Sequence, residues 1–287
     1  VHVEEIQDNV EDVLMRNCPE IAKCYIIYRY NHKVIRETND KLTKEVKKKL
    51  LALNVENQNA NVDEYSFGGR MGEATRVVTK DFALKNCMSR KSRNNHLNNE
   101  IYIHDLDSYA IGMHNCLTIP FDDLLKNGFK TRQTDVRPAN SINTAFQLVA
   151  VLFQLQSLQQ FGGVSSSHLD WTLVPYVRKS FFKHFSVGLE YMSDIILRDC
   201  DKNDERSIED NFYLNHPKVY NYAMAMTKKE LKQAVEGLYH NLNTLQSRSG
   251  NQLPFSSINY GTCTLPEGRM VIKALLEGSI EGTGKYH

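Results

Sequence analysis

Residues 141–161 read SINTAFQLVAVLFQLQSLQQF, the most hydrophobic helical stretch of the 287-residue chain. Ser141 can cap the first turn of this helix, and Gly162-Gly163 can end it. Apolar residues cover more than one face, so we expect burial on several sides, inside the domain or also against a second subunit. The glutamines of the helix either pair across such an interface or form its exposed remainder: Gln147, Gln154, Gln156, Gln159 and Gln160.

Outside this helix, apolar residues mostly recur every three or four positions, which is the helical period. Helices are predicted at residues 4–36 with a break at Cys18-Pro19, and at 41–49, 73–87, 169–192, 228–246 and 266–277. Strands are predicted at residues 100–105 and 254–262. Helices interleaved with a few short strands indicate an α/β domain that is rich in helices.

Composition and charge exclude several classes of function. The 35 Lys and Arg residues balance 34 Asp and Glu residues, so the net charge of +1 gives no reason to expect a nucleic-acid or membrane-surface partner. Apolar runs such as residues 148–153 are too short to span a bilayer, and no leader opens the chain. The six cysteines contain no CxxC pair, which predicts reduced thiols in a cytoplasmic protein. Val1 is not an initiator methionine and the sequence stops soon after a helix, so we expect a fragment.

The segment GMHNCLTIPF, residues 112–121, raises the question of what Cys116 does between polar and apolar neighbours. His114 and Cys116 could meet on a strand as a nucleophile pair, but hydrolase pairs normally come from distant parts of a sequence. Metal binding by His104, Asp105, His114 and Cys116 matches no usual ligand spacing. Neither standard phosphate loop is present in the sequence. These residues alone therefore leave a shortlist of chemistries.

Several longer segments are more specific. NQNANVDE, YIHDLD, MHNCL, GFKTRQTDVRPANSINTAFQLVAVLFQLQSLQQFGG and PFSSINYGT occur in this order. Together they resemble the anaerobic (class III) ribonucleoside-triphosphate reductase family from about Asn54 to the end of the chain. The opening VHVEEIQDNVEDVLM resembles the end of an ATP-cone, a regulatory nucleotide-binding module. The resemblance implies that residues 1–36 end an ATP-cone and residues 37–287 begin the catalytic domain.

The resemblance also implies a fold and a chemistry for this chain. The chain would be the first part of a ten-stranded α/β barrel of the glycyl-radical enzyme type. In this family a thiyl radical removes the 3′ hydrogen of the ribose, the 2′ hydroxyl leaves as water, and a second cysteine helps to reduce the 2′ carbon. Cys116 lies at that second-cysteine position. Such a thiol is expected to give up a hydrogen atom in a water-poor cavity.

Binding residues are implied in the same way. The predicted wall of the substrate cavity consists of Asn59, Asn61, His104, Asn115 and Ser256. A deoxynucleotide effector is expected between the subunits of a homodimer, in contact with Asn140 and Lys183. Asn140 departs from the family pattern, because related chains can carry lysine at this position.

Other parts of the family machinery are not found in this sequence. They are the finger-loop cysteine, the radical-storing glycine and a C-terminal zinc site of four cysteines, so no metal site is predicted here. The expected partners are a ribonucleoside triphosphate substrate, ATP and deoxynucleotide effectors and a radical-SAM activating enzyme. This chain is expected to show no turnover by itself. The alternative is a non-catalytic, nucleotide-binding regulatory module.

Overall fold

The computed structural model describes residues 2–51, 63, 65–112, 114–160, 162–193, 205–248 and 252–284. The helices are α1 Val3–Asn17, α2 Pro19–Leu50, α3 Phe67–Phe82, α4 Arg90–Leu97, α5 Phe121–Asn127, α6 Ile142–Ser157, α7 Leu169–Thr172, α8 Val174–Ser193, α9 Asn211–Leu214, α10 Pro217–Thr244 and α11 Pro266–Glu281. The strands are β1 Leu117–Thr118, β2 Phe129–Lys130, β3 Asp135–Val136, β4 Val164–Ser166 and β5 Ser256–Ile258. The chain divides into two compact units, Val1–Gly112 and Met113–His287.

The first unit contains α1 to α4 and a π-helical turn, Ala83–Cys87, that continues α3. The predicted break at Cys18-Pro19 is confirmed, because Cys18 takes a non-helical conformation and Pro19 occupies the first turn of α2. Arg29 of α2 forms ion pairs with Asp8 and Glu11 of α1, which joins the two helices side by side.

Two predicted elements of this unit differ from the structure. Residues 41–49 continue α2, because neither proline nor glycine interrupts the sequence after Pro19. Residues 100–105 form an irregular segment of bends that ends in a turn, and not a strand. Asn99 and Asp105 bracket this segment with φ angles of 60° and 54°, a left-handed conformation that short polar side chains tolerate and that a strand cannot contain.

The second unit is built on three parallel strands in the order β1-β4-β5. Leu117 of β1 is opposite Val164 of β4, which is in turn opposite Ser256 of β5. Helices connect the successive strands, as parallel pairing requires, and the antiparallel pair β2–β3 lies between α5 and α6. The predicted helix-rich α/β class is confirmed, and the parallel sheet with its crossover helices agrees with part of an α/β barrel.

Helix α6 forms the centre of the core of this unit. Nine of its sixteen residues are buried, which confirms that it packs on several sides. Phe146 and Phe153 are at most 1% exposed, and burying a side chain of this size contributes about 1.5–3 kcal/mol. Ser141 caps the helix as predicted, because its Oγ accepts a hydrogen bond from Thr144 N at 3.3 Å.

A second apolar cluster joins α8 to α9 and α10. Its main buried members are Phe181, Phe185, Leu189, Ile208, Tyr213, Val219 and Ala223. The rings of Phe185 and Tyr213 meet edge to face with centroids 4.8 Å apart, an arrangement that the charge distribution of aromatic rings favours. Among the described helices, none combines the length and hydropathy that a bilayer crossing needs.

The predicted domain boundary after residue 36 falls within α2, which runs without interruption from Pro19 to Leu50. The assignment of residues 1–36 to an ATP-cone and of residues 37–287 to a catalytic domain stays a prediction.

Candidate active site

Cys116 lies immediately before β1, next to the beginning of β4. Leu117 N donates a hydrogen bond to Gly163 O at 3.1 Å, so the thiol adjoins the Gly162-Gly163 pair. The Cys116 side chain is exposed, and among the described residues its thiol donates a hydrogen bond to Asn115 Oδ1, 3.9 Å from Sγ. The described residues of this chain therefore do not close a water-poor cavity around the thiol.

Gly162 brings the segment before β4 into close contact with Asn115 and Cys116. Its backbone N–H donates a hydrogen bond to Asn115 O. A Cβ atom built on Gly162 would lie 2.7 Å from Cys116 Sγ, closer than side chains in proteins approach one another. It would lie even closer to the backbone and side-chain oxygens of Asn115, so a larger residue at this position must displace both Asn115 and Cys116. From the sequence, Gly162 was predicted only to end the preceding helix.

Gly162→Ala should lower the free energy of unfolding by about 1–3 kcal/mol, because the added methyl group overpacks the contacts with Asn115 and Cys116. Gly163→Ala is the matched control, since a Cβ there would meet Phe255 O at an ordinary 3.5 Å. Chemical denaturation of the two variants and the wild type gives the comparison. Equal losses in both variants would show that the close approach at Gly162 is not specific.

Hydroxyl side chains line the face of the sheet on which Cys116 lies. Thr118, Ser165 and Ser257 occupy one register row across β1, β4 and β5, and Thr118 Oγ1 is 2.9 Å from Ser165 Oγ. Side chains alternate between faces along a strand, so this row faces away from the buried Val164. The same two-residue period places Cys116 on the side of Thr118. This face therefore presents a thiol next to hydrogen-bonding hydroxyl groups.

Ser256, which was predicted to line the substrate cavity, lies on the central sheet but in a different row. It is opposite Val164 and so lies on the other face from its neighbour Ser257. Thr118, Ser165 and Ser257 were not predicted. The adjacent serines in PFSSINYGT show that a hydroxyl is available, but only the register decides which of them faces the same side as Cys116.

The surroundings of His114 do not support a hydrolase-type nucleophile pair or a metal site, the two other chemistries considered for this segment. His114 forms a parallel β-bridge with Gln160, which is buried. Within the described residues no hydrogen bond joins His114 to Cys116, so a hydrolase-type nucleophile pair is not assembled. The described part of the chain also contains no group of three His, Cys, Asp or Glu side chains that could hold a metal ion.

Three predicted substrate residues lie outside the described part of the second unit. His104 belongs to the first unit, where its Nδ1 is 2.6 Å from Asp105 Oδ1. Asn59 and Asn61 lie outside the described residues. Among the described residues of the second unit, Asn115 is the predicted substrate residue next to the thiol.

The two predicted effector residues lie on neighbouring elements. Asn140 is exposed just before α6, where Thr144 Oγ1 donates to its Oδ1 at 3.5 Å. Lys183 is exposed on α8. The elements are joined directly, because Ile142 N in the first turn of α6 donates to Ser180 Oγ of α8 at 2.9 Å.

A buried carboxylate, Glu230 of α10, organises this region. Ser180 Oγ donates to its Oε1 at 3.2 Å, and His184 Nε2 is 2.8 Å from its Oε2. Burial raises the pKa of Glu230, but the hydrogen bonds from His184 and Ser180 and the charge of Lys183 outweigh it, so the pKa lies below its usual value. Glu230 therefore stays ionised, and its negative charge lies near the Lys183 ammonium.

Comparison with known proteins identifies the family. The family described as anaerobic ribonucleoside-triphosphate reductase matches residues 58–287, which is most of the chain. The chain belongs to this family. The match includes the MHNCL segment with Cys116, all three strands of the parallel sheet, and the helices that carry Lys183 and Glu230.

Curated relatives share this family name. The anaerobic ribonucleoside-triphosphate reductase of Haemophilus influenzae is 32% identical over the whole chain, and that of Escherichia coli is 29% identical over 99% of it. The enzyme of enterobacteria phage T4 is 30% identical over 80% of the chain. The chain spans only 34–38% of the length of these relatives, in agreement with the prediction that it corresponds to part of a reductase.

Two solved structures of the anaerobic ribonucleotide reductase from Thermotoga maritima also match. One, with dATP bound in the specificity site, covers 87% of this chain at 14% identity and a TM-score of 0.49. The other, in complex with dATP and CTP, covers 84% at 14% identity and a TM-score of 0.47. The match spans 40% of each solved chain.

Proposed function

We propose that this chain is the N-terminal part of an anaerobic ribonucleoside-triphosphate reductase and that Cys116 belongs to its active site. One observation carries the proposal: in a chain of this family, Cys116 lies at the start of the central parallel sheet, on the face that presents Thr118 and Ser165. A thiol beside hydroxyl groups suits a ribose, because the hydroxyls can hydrogen-bond the sugar while the sulfur approaches C2′.

The proposed reaction replaces the 2′ hydroxyl of the ribose by hydrogen. A thiyl radical, generated from a glycyl radical outside residues 1–287, removes the 3′ hydrogen, and the 2′ oxygen leaves as water. Cys116 delivers a hydrogen atom to the 2′ carbon, and the 3′ hydrogen is returned at the end. A reductant, formate or a dithiol protein, supplies the two electrons that balance the reaction. Gly162 leaves Sγ room beside the sheet, and Asn115 Oδ1 contacts the thiol.

The remaining parts of the proposal follow the family. Residues 1–36 would end an ATP-cone, and a deoxynucleotide would bind near Asn140 and Lys183 of a homodimer, with the lysine pairing with a phosphate as a point charge. His104, Asn59 and Asn61 remain proposed substrate-binding residues, whereas the register of β5 turns Ser256 away from the face of Cys116. A radical-SAM enzyme would activate the full-length protein in the cytoplasm. A four-cysteine zinc site is proposed only outside this chain.

The proposal is tested with the full-length gene product that contains this chain, activated without oxygen. We expect it to form 2′-deoxynucleotides from ribonucleoside triphosphates, whereas the 287-residue chain, treated identically, should form none. Product analysis by chromatography distinguishes ribo- from deoxynucleotides directly. Deoxynucleotide formation by the 287-residue chain alone would contradict the proposal that the radical-forming residues lie outside residues 1–287.

A non-catalytic regulatory module is the second candidate. The exposed Cys116 and the Glu230-centred junction near Lys183 are compatible with a protein that only binds nucleotides. The same assay separates the two candidates, because a regulatory module would bind deoxynucleotides and yield no product even as the full-length protein.

A further inference from the structure

A cavity of about 590 Å³ opens in the second unit between the end of α5, α7 and the first turns of α8. Its wall includes Lys126, Trp171, Tyr176 and Lys179. The volume lies within the range of about 300–1,000 Å³ that is typical of small-molecule sites. None of the residues assigned above to substrate or effector lines this cavity.

Trp171 offers a fixed aromatic surface at this cavity. The side chain is 41% exposed, and its Nε1 donates a hydrogen bond to Thr262 Oγ1 at 3.0 Å. Thr262 is itself held, because its backbone N–H donates to the buried Asp170 at 2.9 Å. The indole is thus oriented before any ligand arrives, which reduces the entropy that a stacking partner must lose.

Two ammonium groups lie on the same cavity. Lys126 is in the last turn of α5, and Lys179 Nζ is 5.4 Å from the centroid of the Tyr176 ring. Both lysines are exposed, and neither forms an ion pair with a carboxylate among the described residues. Their charges are therefore available to an anionic ligand.

The other charged groups of the cavity are mostly engaged. Arg178 donates from Nε to Glu267 Oε1 at 2.9 Å and from a terminal nitrogen to Glu205 O at 2.8 Å. Asp122 Oδ2 is hydrogen-bonded to His168 Nε2 at 2.8 Å. Glu205 is exposed at the cavity, and its carboxylate and that of Asp122 both oppose an anion there.

Tyr176 adds a neutral donor. Burial and the nearby Asp122 carboxylate raise the pKa of Tyr176 to about 12, so the phenol stays protonated at physiological pH. The cavity therefore combines an oriented aromatic face, a hydroxyl donor and two ammonium groups.

We propose that this cavity binds a nucleoside polyphosphate, with the base against Trp171 and the phosphates at Lys126 and Lys179. Every base has an aromatic face that can stack on an indole, and a lysine pairs with phosphate as a point charge. An inorganic polyphosphate would use only the lysines, and a nucleoside only the indole. The site is separate from the effector site proposed at Asn140 and Lys183, and it does not depend on the reductase activity.

Trp171 is the only tryptophan of the chain, so its fluorescence reports on its immediate surroundings, which are this cavity and the contact with Thr262. We expect titration of the 287-residue chain with dATP at low salt to change the emission saturably. Lys126→Ala combined with Lys179→Ala should raise the apparent Kd at least about tenfold, because each charge-assisted contact is lost. Lys218→Ala, which removes an exposed lysine in the first turn of α10, should leave the Kd unchanged.

Two ligands and one further variant make the test specific. Deoxyadenosine should need an at least about tenfold higher concentration than dATP, and tripolyphosphate should compete with dATP. Lys183→Ala should preserve the Trp171 response, although Lys183 lies one helical turn after Lys179 on α8. An emission that dATP leaves flat would overturn the proposal. So would an unaltered Kd in the double variant, or loss of the response in Lys183→Ala alone.

Discussion

Cys116→Ser should reduce deoxynucleotide formation by the activated full-length reductase by at least about 10³-fold, a change in activation free energy of about 4 kcal/mol. Serine preserves the size of the side chain and a polar contact with Asn115. Its O–H bond, however, is much stronger than an S–H bond and does not give up a hydrogen atom to a carbon radical. The barrier therefore rises at the step that reduces the 2′ carbon, while the geometry of the sheet is retained.

Cys87→Ser is the matched control for this variant. Cys87 is also an exposed free thiol, but it lies in the first unit at the end of the π-helical turn, and no role is proposed for it. Its activity should equal that of the wild type. Binding of a ribonucleoside triphosphate should persist in Cys116→Ser, which separates a chemical defect from a folding defect. Activity of Cys116→Ser within tenfold of the wild type would remove Cys116 from the mechanism.

Asp170→Ala should lower the free energy of unfolding by about 2–4 kcal/mol, because it leaves three backbone donors, that of the buried Cys263 among them, without their acceptor. Asp170 is fully buried, and its Oδ2 accepts hydrogen bonds from the backbone N–H groups of Gly261, Thr262 and Cys263 at 2.8–2.9 Å. One carboxylate thus holds the loop between β5 and α11. The Thr262 contact to Trp171 depends on the same loop, so the fluorescence of the folded variant should change as well.

The contribution of Asp170 to the free energy of unfolding should decrease at acid pH. Burial alone would raise the pKa of Asp170, but the backbone donors outweigh burial and hold it below its usual range. A depressed carboxyl pKa adds stability above the unfolded-state pKa, about 3.9, and loses it as the pH falls through the folded-state value. The stability difference between the wild type and Asp170→Asn, measured by denaturation, should therefore shrink below about pH 4. A difference that grows on acidification would contradict this assignment.

The sequence pattern predicted the elements whose signals are local. The apolar run of α6 with its Ser141 cap, and the interruption at Pro19, depend on residues within one or two turns of each other. The segment around Cys116 was identified by its resemblance to a family, since its neighbours in the chain do not assemble a reactive group by themselves.

The contacts that organise the site join residues far apart in the sequence. Asp170 contacts a loop more than 90 residues away, and the buried Glu267 accepts hydrogen bonds from Arg178, 89 residues away, and from Ile208. The hydrophobic periodicity of a sequence is a local signal and does not predict contacts between residues so far apart. The sequence also could not predict whether Ser256 or Ser257 faces the same side of the sheet as Cys116, because a shift of one residue in the register of β5 exchanges their faces.

The order of the central sheet has a consequence for handling the isolated chain. Among the described residues no strand covers the outer sides of β1 and β5, so both present backbone groups to which a strand of another molecule can add. The hazard is limited by two features: the strands have only two and three residues, and Pro120 and Pro254 flank them without an N–H to donate. Concentrated samples should therefore aggregate through edge pairing more slowly than a protein with long open edge strands would. Keeping the protein dilute is the simplest way to prevent it.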